Sequence, residues 1–206
     1  MLRIWGRKNS INVQKVLWCC AELGLPFERI DAGMAFGVVE TPAYRALNPN
    51  GRIPTIEDDG YVLWESNTIV RYLATRHGLG SLCPGDLLAR FDAERWMDWQ
   101  LTTLDGPVRT VFWALVRTAA DDRDPAAVEN AQTEAERALA ILDAHLAQRR
   151  FVGGETFTMG DIPVGASEYR WMAMDLARAE RAHVQRWYER LTERPGFREH
   201  VMRPLS

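Results

Sequence analysis

A small α+β domain followed by an all-helical one is the fold class the sequence predicts, and three observations predict it. Strand-like and helix-like segments alternate in the order βαβαββα over residues 1–78. Glycines and Pro84 break the pattern over 79–86, which reads as a linker. From 87 to 206 only helical periodicity returns.

Each element has a local reason. Leu2 to Trp5 is a short apolar strand, after which Val13, Val16, Leu17, Cys20 and Leu23 recur at helical spacing until Gly24 stops them. Phe27 to Ile30 is a second strand. Residues 32–50 are irregular, punctuated by Gly33, Gly37, Pro42 and Pro49, with a short helix expected over Tyr44 to Leu47. Ile53 to Glu57 and Tyr61 to Leu63 alternate around Asp58-Asp59-Gly60, a hairpin signal, and Ser66 to His77 resumes the 3.6-residue period. The second domain offers helices over Leu87 to Arg117, Pro125 to Arg149, Asp161 to Ala177 and Val184 to Glu193.

Composition narrows the function classes. The 206 residues are 47% apolar, enough for a substantial core. Lys and Arg number 25 against 28 acidic residues, so there is no basic field of the kind a phosphate backbone demands, and nucleic acid is not an expected partner. No apolar run reaches signal-peptide or membrane-span length, so the expectation is a cytoplasmic protein without a membrane partner. Cys19, Cys20 and Cys83 show neither CxxC nor metal-ligand spacing; they read as buried small hydrophobes, and no metal is expected.

The chemistry concentrates in the first domain. Proline cannot donate to a ladder, so Pro54 inside a strand-like run marks an edge or a ligand-facing segment. A cis Ile53-Pro54 bond would hold the Ile53 N–H and C=O outward, where an extended peptide could pair with them; an ordinary edge proline is the alternative. Ser66 is expected to cap the helix that follows, leaving early N–H groups for a carboxylate. A capping box would place an acid at 69, where the sequence has Ile69, so Glu65 is free to take an ammonium group. Together they suit the zwitterionic end of an α-amino acid, although a capped surface helix with a solvated glutamate has the same local sequence. Ser10 precedes the first helix, where an O–H donor and the helix dipole would favour a thiolate, and Asn12 is a second donor; a plain N-cap is the alternative for Ser10.

Ser10-x-Asn12, Asn48-Pro49-Asn50-Gly51-Arg52-Ile53-Pro54 and Glu65-Ser66-Asn67-x-Ile69-x-Arg71-Tyr72-Leu73 resemble cytosolic glutathione transferases of the bacterial serine/asparagine type. Thr158 to Pro163 resembles the N-capping segment of that family's buried central helix, and Arg194 to Phe197 adds a weaker match. The resemblance implies a thioredoxin-like first domain, a helical second domain, a homodimer, and glutathione as co-substrate with a small hydrophobic electrophile. It implies Ser10 at the glutathione sulfur, with Asn12 taking that contact in some bacterial branches. It further implies Ile53, beside Pro54, on the cysteinyl unit, Glu65 and Ser66 on the γ-glutamyl end, and Arg52 on the glycine carboxylate.

With that resemblance, Val108, Phe112, Trp113 and Val116, bordered by Arg109 and Arg117, form an apolar stripe expected to offer the electrophile pocket; Trp96, Trp99 and Trp171 read as core. Arg186, Arg190, Arg194 and Arg198 interleave with glutamates and read as a solvated face, and Thr158 with Asp161 as a capping box. The expected activity is conjugation of the glutathione thiolate to hydrophobic electrophiles. Glutathione-dependent reduction of disulfides or peroxides, and a non-catalytic scaffold, are the alternatives.

Overall fold

A computed structural model describes residues 1–206. Four strands, β1 (Leu2–Trp5), β2 (Phe27–Ile30), β3 (Thr55–Asp58) and β4 (Tyr61–Trp64), form one mixed sheet in the order β2-β1-β3-β4. β1 pairs parallel to β2 with Ile4 opposite Arg29, and antiparallel to β3 with Ile4 opposite Ile56, which puts both isoleucines in the core. Asp59 and Gly60 turn the β3–β4 hairpin with φ of 50° and 87°, the two positive values that a two-residue primed turn requires.

Helix α1 (Ile11–Glu22) packs against α3 (Ser66–His77) in this domain and against the helical domain on its other side. That double burial explains why its periodicity is so broadly apolar: Val13, Val16, Trp18, Cys19 and Cys20 are all fully enclosed. Burying an indole such as Trp18 removes ~200 Å² from water, worth about 5 kcal/mol before ordering costs. Helix α2 (Pro42–Leu47) is capped by Thr41, whose hydroxyl accepts the Tyr44 N–H at 3.3 Å.

The second domain contains α4 (Leu87–Trp99), α5 (Asp105–Phe112), α6 (Pro125–Leu146), α7 (Asp161–Met172), α8 (Ala182–Thr192) and α9 (Pro195–His200). Asp86 and Asp124 cap α4 and α6 by accepting the Ala89 and Ala127 N–H groups at 2.9 and 3.1 Å. Of the expected capping box only one half forms, since Gly160 is the N-cap: the Asp161 carboxylate accepts the Thr158 N–H, the Val152 N–H and the Trp187 indole N–H, each at 2.9 Å. Its burial raises the carboxyl to about 6 against the pull of those hydrogen bonds.

Several expectations are corrected. β3 begins at Thr55, so Pro54 precedes the strand and costs it no ladder bond. The helix over 87–117 is broken by π-helical segments at Gln100–Leu104 and Trp113–Arg117. Helix α7 ends at Met172, short of Ala177, and α6 ends at Leu146, short of Arg149. Pro195 opens a separate helix, α9, which seats Phe197 edge-on to Trp18 with ring centroids 4.8 Å apart. Arg194 accordingly leaves the solvated face: its Nε donates to Glu22 at 2.9 Å and its guanidinium lies 3.8 Å from the Phe157 ring centre. A recess of about 230 Å³ opens between α6, α7 and α8, lined by Glu136, Glu168, Arg178 and Arg181.

Candidate active site

The loop before β3 holds the first part of the site. The Ile53-Pro54 peptide is cis, and Ile53, outside any strand, makes no main-chain hydrogen bond within the protein. Backbone groups without an internal partner are available to a ligand. The neighbouring carbonyl is tied down instead: the Arg52 C=O accepts from the Tyr44 hydroxyl at 2.7 Å and from Asn48 Nδ2 at 2.9 Å, and both of those side chains also reach Thr55 Oγ1. Tyr44, Asn48 and Thr55 therefore position the segment, a role the sequence reading missed. The only signal for it was Asn48 in the Asn-Pro-Asn-Gly turn. Arg52 itself is exposed and its side chain makes no hydrogen bond or ion pair.

Glu65, not Ser66, occupies the N-cap position of α3, with φ 72° and ψ 112°, and Ser66 is the first helical residue. A non-glycine side chain in that region costs ~1–3 kcal/mol and turns the chain sharply between β4 and α3. The Glu65 carboxylate is exposed and takes no cap hydrogen bond, so the expectation that it is unoccupied holds although the capping role moves to its position. Ser66 Oγ donates to Asn12 Oδ1 at 3.3 Å, which fastens the start of α3 to the start of α1. The two helix N-termini thus lie side by side, with their positive ends adjacent.

Ser10 is the N-cap of α1, only 8% exposed, and its hydroxyl makes no cap bond. Both its donor and its acceptor capacity are uncommitted. The β1–α1 loop that carries it abuts the proline loop: a Cβ on Gly6 would lie 3.5 Å from Ile53 Cβ. The start of α3 is thereby tied to α1, and the β1–α1 loop to the proline loop. The protein's own thiols are poor alternatives to a bound one, since burial pushes Cys20 up to about 12 and raises Cys19 further from its ionised form.

Beneath this region Lys15 is fully buried, donating to Gln100 Oε1 at 3.1 Å and to Asn67 Oδ1 at 3.4 Å. Desolvation brings its ammonium down to about 8. Gln100 continues to Ser167 Oγ at 2.9 Å, so one polar chain crosses from α1 and α3 into the helical domain.

The expected electrophile stripe is divided. Val108 and Phe112 are each only 2% exposed and belong to the helical core, whereas Arg109 and Trp113 are exposed, Trp113 at 49%. Within α5, Val108 and Phe112 lie four residues apart on the inward face, while Arg109 and Trp113 each follow one residue, ~100° round the helix, toward solvent. Arg117 lies over Trp113, 4.7 Å from its ring centre, and Arg109 pairs with Asp105 at 3.5 Å.

The family model for the glutathione S-transferase N-terminal domain matches residues 9–76, and that for the C-terminal domain matches 125–190. The chain is 43% identical over 208 residues to glutathione S-transferase GstB of Escherichia coli K12, covering 100% of both. It is 30% identical to 46% of the length of elongation factor 1-gamma 3 of Oryza sativa, with 94% of this chain covered. Among solved structures, a theta-class glutathione S-transferase from Xanthomonas axonopodis pv. citri with glutathione bound superposes with a TM-score of 0.96 at 47% identity, covering 100% of this chain and 99% of that one. With a thioredoxin-like sheet carrying a cis-proline loop, a helical partner domain and full-length relatives of this kind, the chain belongs to the glutathione S-transferase family.

Proposed function

We propose that the chain binds glutathione in a hollow bounded by the proline loop and the starts of α1 and α3, and joins it through its sulfur to small hydrophobic electrophiles. The observation that carries this reading is the free Ile53 main chain in contact with the loop that ends in the uncommitted Ser10 hydroxyl. An extended tripeptide would pair its cysteinyl unit with Ile53 as an added strand. Its γ-glutamyl ammonium would meet Glu65, its α-carboxylate Ser66 at the start of α3, and its glycine end Arg52. The sulfur would then lie by Ser10, with Asn12 as the neighbouring donor.

The chemistry asked of the site is modest. A free thiol of pKa about 8.5 is only a few per cent ionised at neutral pH. Lowering it by about two units takes ~2.7 kcal/mol of preferential anion stabilisation, within reach of a charge-assisted hydrogen bond plus a helix terminus. Ser10 donates and abstracts nothing. The thiolate attacks the electrophile, the carbon–sulfur bond forms, and a leaving group departs with its electron pair. Arg109 and Trp113 would border the electrophile, and Val108 and Phe112 would support that wall from behind.

A cytoplasmic homodimer acting in detoxification is the setting we propose for this activity. Conjugation of 1-chloro-2,4-dinitrobenzene, run beside reduction of a mixed glutathione disulfide and with retention on immobilised glutathione, tests the reading. Retention with aryl transfer dominant is expected. Dominant disulfide reduction would assign the site to the reductase class, and no retention would favour a scaffold.

A further inference from the structure

We propose that the electrophile carries a negative charge, held by the guanidinium groups of Arg117 and Arg170, which flank Phe112, together with that of Arg7 in the loop that carries Ser10. This rests on the conjugation reading and narrows its second substrate.

The arginines come from far apart in the chain. Arg7 stands in the β1–α1 loop, where its carbonyl accepts the Ser10 N–H at 3.2 Å. Its guanidinium reaches toward Gly33, where an added Cβ would sit 3.5 Å from Nη1 and 3.1 Å from Ile53 Cδ1. Arg117 closes the second π turn, with its guanidinium carbon 5.1 Å from the centre of the Phe112 ring. Arg170, on α7, lies 4.2 Å from the centre of the same ring.

None of the three has an Asp or Glu carboxylate within 4.0 Å, a condition they share with ten of the other twenty arginines. What distinguishes two of them is burial. Arg170 is only 9% exposed and donates to no acceptor, and Arg7 Nε is buried without one. Arg117 gives one bond, at 2.7 Å, to the Ser206 main-chain oxygen and rests 3.6 Å from Met34 Sδ. Asp105, the acid acting on Arg170, is already paired with Arg109.

Burial depresses all three groups, Arg170 to about 10, and the neighbouring guanidinium charges lower Arg7 and Arg170 further. A bound anion relieves both penalties. Guanidinium forks fit planar carboxylates and their oxygen-rich relatives, and the exposed Trp113 indole beside Arg117 offers a stacking surface. An electrophile with an anionic group next to an apolar body matches this wall. The cations would also offset its repulsion from the thiolate.

The test compares 4-chloro-3,5-dinitrobenzoate with its methyl ester, each kcat/KM normalised to the uncatalysed reaction with free glutathione. Wild type should favour the carboxylate by about tenfold or more, the contribution of one charge-assisted hydrogen bond. That ratio should fall about tenfold in Arg117→Gln and in Arg7→Gln, recover partly in Arg117→Lys, and shrink with added salt. A wild-type ratio of one or less overturns the proposal. So does a ratio that neither glutamine variant changes, above all if both raise the pKa of bound thiol, which would assign the arginines to the sulfur. Thermal stabilisation by glutathione is measured in parallel. If it is present while the ester is preferred, only this proposal falls; if it is absent, the conjugation reading falls as well.

Discussion

Replacing Ser10 by alanine separates chemistry from folding, because the structure assigns its hydroxyl no structural bond. A serine-to-alanine change at an N-cap ordinarily costs ~0.5–2 kcal/mol through loss of the capping bond. Here that bond is not made, so the cost should stay below about 0.5 kcal/mol and the midpoint of thermal unfolding should move by only ~1–2 °C. A hydrogen bond to a thiolate contributes ~1.5–3 kcal/mol, equivalent to about one to two units of thiol pKa. The variant should therefore lose about 10- to 100-fold in kcat/KM near pH 6, and much less well above the thiol pKa, where ionisation no longer limits. The assay is the pH dependence of kcat/KM beside direct absorbance titration of bound thiolate. An unmoved profile in Ser10→Ala, with a moved one in Asn12→Ala, would refute the assignment. It would transfer the sulfur contact to Asn12, whose Oδ1 is taken by Ser66 but whose amide N–H₂ remains free.

Glu65→Gln should leave the unfolding midpoint within ~1 °C and weaken glutathione about tenfold by calorimetry; a Kd within twofold of wild type would remove Glu65 from the amino-acid end. Lys15 carries a folded-state value of about 8 against 10.5 in water, so the unfolded chain holds its proton longer and stability should rise by roughly 3 kcal/mol as pH climbs through that window. Lys15→Met should flatten the rise in denaturant titrations at pH 8 and 10, and an unchanged slope would contradict the assignment. Glu168 has the opposite sign: burial raises its carboxyl from 4.5 to about 7, and Oε2 has no partner. Its stabilising share is full below pH 4.5 and is lost as pH rises toward 7, so Glu168→Gln should gain on wild type by roughly 3 kcal/mol at pH 8 relative to pH 4; a constant difference across that range would be the contrary result.

Much of the first domain could be read from sequence because its signals are local. Asp59-Gly60 fixes the hairpin turn, Gly24 ends α1, and an isoleucine before a proline in a strand-like run pointed to free backbone at Ile53. The helical domain was less legible for a physical reason. Spacing picks out an apolar stripe but not which neighbour buries it, so Val108 and Phe112 read as cleft residues and pack as core, and the π segments that interrupt the helix carry no compositional mark. Helix α9 is too short for periodicity to register. Glu65 was assigned a chemistry but not its positive φ, since glutamate carries no turn signal. Arg7, Arg117 and Arg170 looked unrelated because only tertiary structure brings them together.

The polar chain from Lys15 through Asn67 and Gln100 to Ser167 has a consequence for modularity. The halves match separate domain families, yet the shorter of the two hydrogen bonds from this buried ammonium, made by the first half, goes to Gln100 in the second. The seam should make melting a single cooperative event. It should also penalise hybrids that splice either half onto a relative's complement, unless these four side chains travel together.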